Sequence, residues 1–419
     1  ISGVPEQRLA DPAKLSERLR SIGKRRRRRD DEVQAIKGKE ESLRRRQRIK
    51  RLSIYAAAGI AALVIIIVVG VVLQRKSSER TWAYQKAIPE IKKLLEAESF
   101  PAAYALARKA EKVIPDDPTL KQYIEKSSSV IDIRTTPPGA SVSYKPSPDI
   151  DGGYIGLGVT PIKGVRLPIG MHRWQIKKEG YQEREVVWDV PSPDRFTKEE
   201  RERYGRLWGE PFSLRLALYE ENRVPKGTIP VDRGRFMMAL GGIPPDHNGM
   251  DLDQFFIDRT EVTNRAFKEF IDAGGYSKPE FWKPEFKKDG KLISRLEAMK
   301  AFVDRTGRPG PSTWELGSYP EGQDDYPVSG VSWFEAVAYA EFRGKSLPTI
   351  YHWARAALSQ VELGRPISPF ILPLSNFGGP GPAKVGTYAG IGSSGAKDMA
   401  GNVREWCWNA AGDRRYSLG

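Results

Sequence analysis

The sequence predicts a multidomain protein: a single transmembrane helix, a short α-helical hairpin, a small β-sandwich and a C-terminal α+β domain. Three observations carry this. They are an uncharged run from Leu52 to Gln74, a change of apolar period from helical to alternating at residues 127 to 129, and amphipathic helices set among Gly/Pro-rich loops beyond Val224. The 419 residues leave room for two or three compact units at about 150 residues each. A content of 39% hydrophobic and 29% charged residues excludes both a polytopic membrane protein and a wholly disordered chain. One cysteine, Cys407, and three histidines, His172, His247 and His352, exclude an intramolecular disulfide framework and a Cys-rich zinc or iron–sulfur site. The chain opens without Met and stops at Arg-Tyr-Ser-Leu-Gly, and is expected to be a piece of a longer protein.

Residues 1–53 hold eighteen Lys/Arg against eight Asp/Glu, so +10 of the net +15 is local to a basic juxtamembrane segment. That excess stands directly before Ile54–Leu73, twenty residues of Ala, Ile, Val, Leu and Gly with one Tyr at the edge. At about 1.5 Å per residue such a helix spans about 30 Å, the thickness of the hydrocarbon core. An uncharged run of this length flanked by dense Arg favours a membrane span over a buried core helix, and a cleaved signal peptide is disfavoured because no small-residue cleavage pattern follows. The basic flank is expected in the cytoplasm and residues 77–419 outside it. Lys24–Arg29 and Arg44–Arg51 abut the bilayer, so their expected partner is anionic lipid rather than nucleic acid.

Residues 77–129 read as a helical spacer. Ile88, Ile91 and Leu95 share one face, Leu106, Ala110 and Val113 another, and Ser99-Phe100-Pro101 and Pro115-Asp116-Asp117-Pro118 break the pattern. The Ala-rich second helix lets helix axes approach closely, and the stretch resembles one tetratricopeptide-type unit packed on a neighbour. From residue 130 to 223 the pattern is β: Val130, Ile131 and Ile133 open a strand, Val142 and Tyr144 continue, and Phe212, Leu214 and Leu216 alternate near the end. Pro138-Gly139-Ala140, Gly158-Val159-Thr160-Pro161, Pro168-Ile169-Gly170-Met171-His172 and Gly180-Tyr181 resemble, in order and spacing, the PEGA domain, a small β-sandwich of bacterial surface and envelope proteins. Tyr181 and Trp174 are expected in its core, and His172 in a turn with a structural role.

Residues 224–419 carry the most specific pattern. Gly234-Arg235-Phe236-Met237-Met238, Phe256 through Asn264 (FIDRTEVTN), Pro327 through Trp333 (PVSGVSW), Gly344 through Thr349 (GKSLPT), Trp353 and Gly401 through Trp406 (GNVREW) stand in the order of the formylglycine-generating enzyme (sulfatase-modifying factor) family, which the segment resembles. The resemblance implies a C-type-lectin-like fold. Independently of it, Thr263 can cap a helix with Phe267, Phe270 and Ile271 on its apolar face. Ser332 and Glu335 have capping-box spacing, and the Leu347-Pro348-Thr349 turn starts a helix with Trp353 inward. The stretch from Gly364 to Gly395 reads as irregular loop.

The family oxidises a substrate cysteine with copper held by two cysteines downstream of the GNVREW box. That segment is expected to lie outside this chain, and the resemblance gives Cys407 no catalytic role; Arg404 stands where the family commonly has Trp. By resemblance the Asp398 carboxylate with the backbone oxygens of Gly401 and Val403 would hold calcium, with Asn376 and Phe377 beginning a second site whose loop, Gly378–Lys384, is shortened. Related iron enzymes use a His/His/Glu set that His247 and His352 do not reproduce. The expected function is extracytoplasmic binding or sensing. The rivals are a formylglycine-generating oxidase whose copper-binding cysteines lie elsewhere, and, on architecture alone, the ectodomain of a receptor-type Ser/Thr kinase. No glycine loop, HRD or DFG motif occurs in the chain. Reporter fusions test the orientation: those after residue 80 should be active only with an extracytoplasmic reporter, and those before Leu52 only with a cytoplasmic one. The reverse pattern rules the orientation out.

Overall fold

The computed structural model describes residues 12–147, 152–195, 197–199, 202, 212–236, 250–288, 290–358 and 371–419. The chain divides into two units, residues 1–83 and 84–419. The first is a single helix, α1 (Pro12–Trp82), that takes in the basic segment as well as the apolar one. Its apolar side chains lie open, with Ile54 65% and Leu73 61% exposed, as a lipid-facing helix requires. Among the described residues it is the one helix long and apolar enough to cross a membrane.

The second unit opens with three short helices, α2 (Ile88–Glu96), α3 (Phe100–Glu111) and α4 (Pro118–Ser127). Ala103, Ala107 and Ala110 on α3 are wholly buried, because their small side chains let the neighbouring helices close in. Asp117 caps α4, accepting from Leu120 N at 2.8 Å. Tyr104 Oη on α3 donates to Arg166 O, which ties the hairpin to the sandwich that follows.

That sandwich has strands β1 (Ser128–Thr136), β2 (Ser141–Pro146), β3 (Ile155–Val159), β4 (Ile162–Pro168), β5 (Gly170–Lys177), β6 (Arg184–Val190) and β7 (Ser213–Ala217). One sheet runs β4-β1-β7 and the other β3-β2-β5-β6. β7 lies parallel to β1, with Ile133 opposite Leu214, so the polar stretch after β6 does return to finish the sandwich. Along β5 the inward positions are Gly170, His172, Trp174 and Ile176, the period-two alternation of a half-buried strand. Trp174 is fully buried and donates through Nε1 to Trp188 O. The glycine–threonine motifs meet in one clamp: Thr160 Oγ1 accepts from Gly139 N at 3.2 Å and Ala140 N at 3.1 Å and pairs with Thr135 Oγ1.

The C-terminal domain is built from β8 (Thr228–Val231), β9 (Gly234–Phe236), β10 (Met250–Leu252), β11 (Phe255–Asp258), α5 (Asn264–Asp272), β12 (Phe286–Lys288), β13 (Lys291–Ile293), α6 (Arg295–Met299), α7 (Trp333–Phe342), α8 (Ile350–Ala357), β14 (Glu405–Ala411) and β15 (Arg414–Leu418). Among the described residues the strands pair as two-stranded ribbons, so packing rather than one sheet organises the domain. Thr263, Ser332 and Thr349 cap α5, α7 and α8 as expected, and Ser332 with Glu335 completes a capping box. An aromatic core of Phe267, Phe270, Tyr276, Trp282, Phe286, Trp314 and Tyr339 gathers around α5 and α7. A second core joins Ile229, Val231, Ile350, Trp353, Met399 and Cys407. Of the expected loop, residues 364–370 lie outside the described residues, and the rest holds only a short 3-10 turn, Leu372–Leu374.

The two domains share a buried ion pair. Arg184 Nη1 on β6 donates to both carboxylate oxygens of Asp232 at 2.8 Å and to Ala217 O, and its Nη2 reaches Pro230 O. Tyr219 Oη donates to Asp232 Oδ1, and Arg355 Nη2 on α8 to Asp232 O at 3.5 Å.

His172 corrects the sequence expectation of a turn residue. It sits inside β5, because the turn ends at Gly170 and the alternation that buries Trp174 buries His172 as well. Its Nε2 lies 2.8 Å from Pro168 O, its ring meets the edges of Tyr144 and Trp174, and Nδ1 has no partner. Burial lowers its pKa to about 4, below the free value, so the folded state holds it neutral while the unfolded chain protonates first. Its stabilising contribution is therefore whole above about pH 6.5 and lost as the pH falls toward about 4, amounting to about 3 kcal/mol. Melting followed by circular dichroism should show this slope in the wild type and a flatter one in His172→Phe. Equal slopes refute the assignment.

Candidate functional site

The residues singled out by the sequence gather at the turn that leads into β14. Asp398 and Asn402 hold φ of +58° and +63°, the left-handed region that disfavours residues with a Cβ, and Gly401 sits at +79°. Such a turn persists only where its surroundings over-determine it. Asn402 supplies the bonds. Its backbone N–H donates to Asn376 O at 2.9 Å, and its Nδ2 donates to Glu261 Oε2 at 2.7 Å and Ala383 O at 3.3 Å. Its Oδ1 accepts from Ala383 N at 2.7 Å and Asn376 Nδ2 at 3.0 Å. Gly401 is required by space as well as by φ, since a Cβ there would lie 2.7 Å from Asn376 O.

The two stretches assigned by resemblance to separate calcium sites are thus neighbours, with Asn376 lying directly against Gly401 and Asn402. Asn376 is already engaged: its carbonyl accepts from Asn402 N, Nδ2 also donates to Gly381 O, and Oδ1 accepts weakly from Tyr388 Oη. Asp398, 7% exposed, points elsewhere, and its Oδ2 accepts from Gly386 N at 2.5 Å.

Two acids that the sequence reading left unassigned complete the site. Glu261 stands between β11 and the cap of α5, and besides Asn402 it accepts from Val403 N at 3.1 Å. Glu405 accepts from Trp353 Nε1 on α8. Both lie inside quoted motifs, FIDRTEVTN and GNVREW, but nothing in either run says that they face one another. Burial pushes the Glu261 carboxyl up to about 8, with the charges of Glu405 and Asp398 adding to the shift against the Asn402 and Val403 hydrogen bonds. Burial likewise raises Glu405 to about 7 and raises Asp398. Three carboxyl groups share a poorly hydrated region, so the site favours a proton or a cation over three bare negative charges.

A cleft of about 850 Å³ opens beside these acids, with Phe255, Glu261, Tyr339, His352, Trp406 and Trp408 in its lining. Its walls set apolar and aromatic side chains beside charged ones, among them Asp258, Arg343, Lys345 and Arg404. His352 is half-buried on α8, with Nδ1 2.6 Å from Thr349 Oγ1 and its ring edge-on to Phe255. His247, Met237 and Met238 lie outside the described residues. Among the described residues no group of three or more His, Cys, Asp or Glu is arranged to hold a metal. Cys407 is wholly buried, and burial pushes its thiol up to about 12, so it packs in the core and holds little thiolate at neutral pH.

Asn402 tests whether hydrogen bonding or backbone freedom matters more at the turn. Asn402→Ala loses both the left-handed tolerance and the side-chain bonds and should cost about 2–4 kcal/mol. Asn402→Gly, which keeps the φ, should cost measurably less in a thermal melt. Equal losses would show that the backbone conformation contributes nothing.

Known proteins resemble parts of this chain. A family model described as "Sulfatase-modifying factor enzyme 1-like domain" matches residues 216–363, and one described as "PEGA domain" matches residues 128–190. The formylglycine-generating enzyme of Thermomonospora curvata is 32% identical over 242 residues, covering 48% of this chain and 77% of that protein. A hercynine oxygenase of Mycolicibacterium smegmatis is 33% identical over 196 residues, covering 43% of this chain. The serine/threonine-protein kinase pkn1 of Chlamydia pneumoniae is 28% identical over 247 residues, covering 58% of this chain and 35% of the kinase. The chain spans 44% of the length of the hercynine oxygenase. On these grounds the chain belongs to the family of sulfatase-modifying factor and formylglycine-generating enzymes, with a PEGA domain preceding the family domain.

Proposed function

We propose that the chain is a membrane-anchored binding or sensing protein with its N-terminus in the cytoplasm and residues 77–419 outside it. On this reading α1 crosses the membrane at Ile54–Leu73, the basic flank holds anionic lipid, and the tetratricopeptide-like helices are a spacer. The C-terminal domain, of C-type-lectin-like fold, presents the cleft to an extracytoplasmic ligand. The observation that carries binding over oxidation is Cys407: the single thiol of the chain is wholly buried with a raised pKa. Copper held by two thiolates needs a second cysteine, which this chain lacks, so the oxidase reading requires cysteines from outside it. The similarity to pkn1 over more than half of this chain supports a second reading, in which the same domains form the ectodomain of a receptor-type Ser/Thr kinase.

Calcium fits the residues present. Asp398 is buried and accepts one backbone N–H, and burial raises its pKa against the opposing Gly386 hydrogen bond and Lys397 charge, a residual cost that a hard cation would offset. Asp398 with the backbone oxygens of Gly401 and Val403 would hold it. The cation would supply charge compensation to the turn, while Asn402 and Gly401 fix the backbone that offers the oxygens.

Two measurements on one sample of the whole chain in detergent separate the readings. With copper, oxygen and a cysteine-containing peptide, mass spectrometry should find no aldehyde product. Calcium should raise the melting temperature, by the equivalent of about 2.7 kcal/mol at a hundredfold excess over Kd, and Asp398→Ala should abolish that rise. Aldehyde would overturn the non-catalytic reading, and a melting temperature indifferent to calcium would overturn the metal assignment alone.

A further inference from the structure

The segment from Lys384 to Lys397 touches both the acidic turn and the edge of the sandwich, beside the contact that Arg184 makes with Asp232. At one end it closes the acidic turn: Gly386 N donates to Asp398 Oδ2 at 2.5 Å, and Lys397 Nζ donates to Gly386 O at 3.1 Å. At the other it lies along the sandwich. β6 is an edge strand with β5 on one side only, and its outward N–H at Val187 donates to Ser393 O at 3.3 Å. Arg173 on β5, paired with Glu185 on β6, donates through Nη2 to Ala389 O. Gly395, at φ +95°, packs so closely on the Glu185 carbonyl that an added Cβ would collide with it. Between these ends the segment is tied to the C-terminal domain by Ser393 N to Ala357 O, Ser394 N to Ala356 O and Lys397 N to Arg259 O, at 3.1, 3.2 and 2.8 Å.

We infer that residues 384–397 form a coupling strap, which pairs with the open edge of the sandwich and closes the acidic turn, so that loosening the turn releases the edge. The strap uses an edge that would otherwise present unpaired backbone groups. Its middle is well anchored, by Gly390 N to Leu374 O and Ser393 Oγ to Leu358 O, both at 2.8 Å, so that a shift at one end is carried to the other through a contiguous hydrogen-bonded segment. A change at the cleft of the C-terminal domain then reaches the PEGA sandwich, and through it the helical spacer, without any contact between a ligand and the sandwich. This coupling does not depend on calcium or on the binding reading.

Hydrogen exchange on the whole chain in detergent with EDTA tests it, read by mass spectrometry in peptides covering 184–190, 398–405 and the central strand 141–146. Asp398→Ala and Lys397→Met alter only the turn end of the strap. Each should raise exchange at 184–190 by about fivefold, the factor that one lost hydrogen bond commands, while 141–146 stays at the wild-type rate. Gly395→Ala, at the sandwich end, should raise exchange at both 184–190 and 398–405. If Asp398→Ala and Lys397→Met loosen 384–405 and leave 184–190 at the wild-type rate, the strap does not couple the domains. If 141–146 loosens in step with 184–190, the effect is general destabilisation and the inference falls.

Discussion

The C-terminal domain depends on one side chain held in an unfavourable backbone conformation. Asn402 sits at φ +63°, and the compensation is that its amide joins three stretches distant in sequence: the 376–383 loop, the turn itself and Glu261 ahead of α5. Asparagine tolerates the left-handed region better than most residues and brings both donors and acceptors, so one residue meets both demands. Glycine at 401 removes the Cβ that would strike the Asn376 carbonyl. The FIDRTEVTN and GNVREW motifs are two halves of one contact, Glu261 receiving Asn402 and Val403.

The same contact gathers charge. Burial raises the proton affinity of Glu261, Asp398 and Glu405, the Asp398 charge adds to the shift of both glutamates, and the hydrogen-bond donors that face the three are neutral: the Asn402 amide, the Trp353 indole and backbone N–H groups, with the Lys397 charge acting on Asp398 alone. Neutral donors stabilise a carboxylate less than a guanidinium does. The contrast with Asp232 is direct, since there a guanidinium nitrogen, Arg184 Nη1, reaches both carboxylate oxygens and the pair links the domains. One acidic locus is thus closed by a hydrogen-bonded guanidinium and links the domains, whereas the other is held by neutral donors and borders the cleft.

Much was legible in the sequence because its physical cause is local. Capping at Thr263, Ser332 and Thr349 needs a side-chain oxygen within three residues of the N–H that it accepts, so consecutive residues reveal it. The buried face of β5 follows from alternation, and the apolar run within α1 from composition and length. The resemblance to two families, each carried by ordered motifs, pointed to the two domains and to the turn at 398–403.

What only the tertiary structure decided are choices among partners far apart in the chain. No local pattern states that β7 returns to lie parallel to β1, that Arg184 takes Asp232, or that Ser393 pairs with the edge of β6. His172 shows the boundary well: its turn-like neighbours Gly170 and Pro168 were visible, but strand register decides whether the next residue faces core or solvent, and a shift of one position reverses it. Glu261, Asn402 and Glu405 were all in view within their motifs. The raised proton affinity of the two glutamates arises from proximity and exclusion of water, quantities that exist only once the chain is packed.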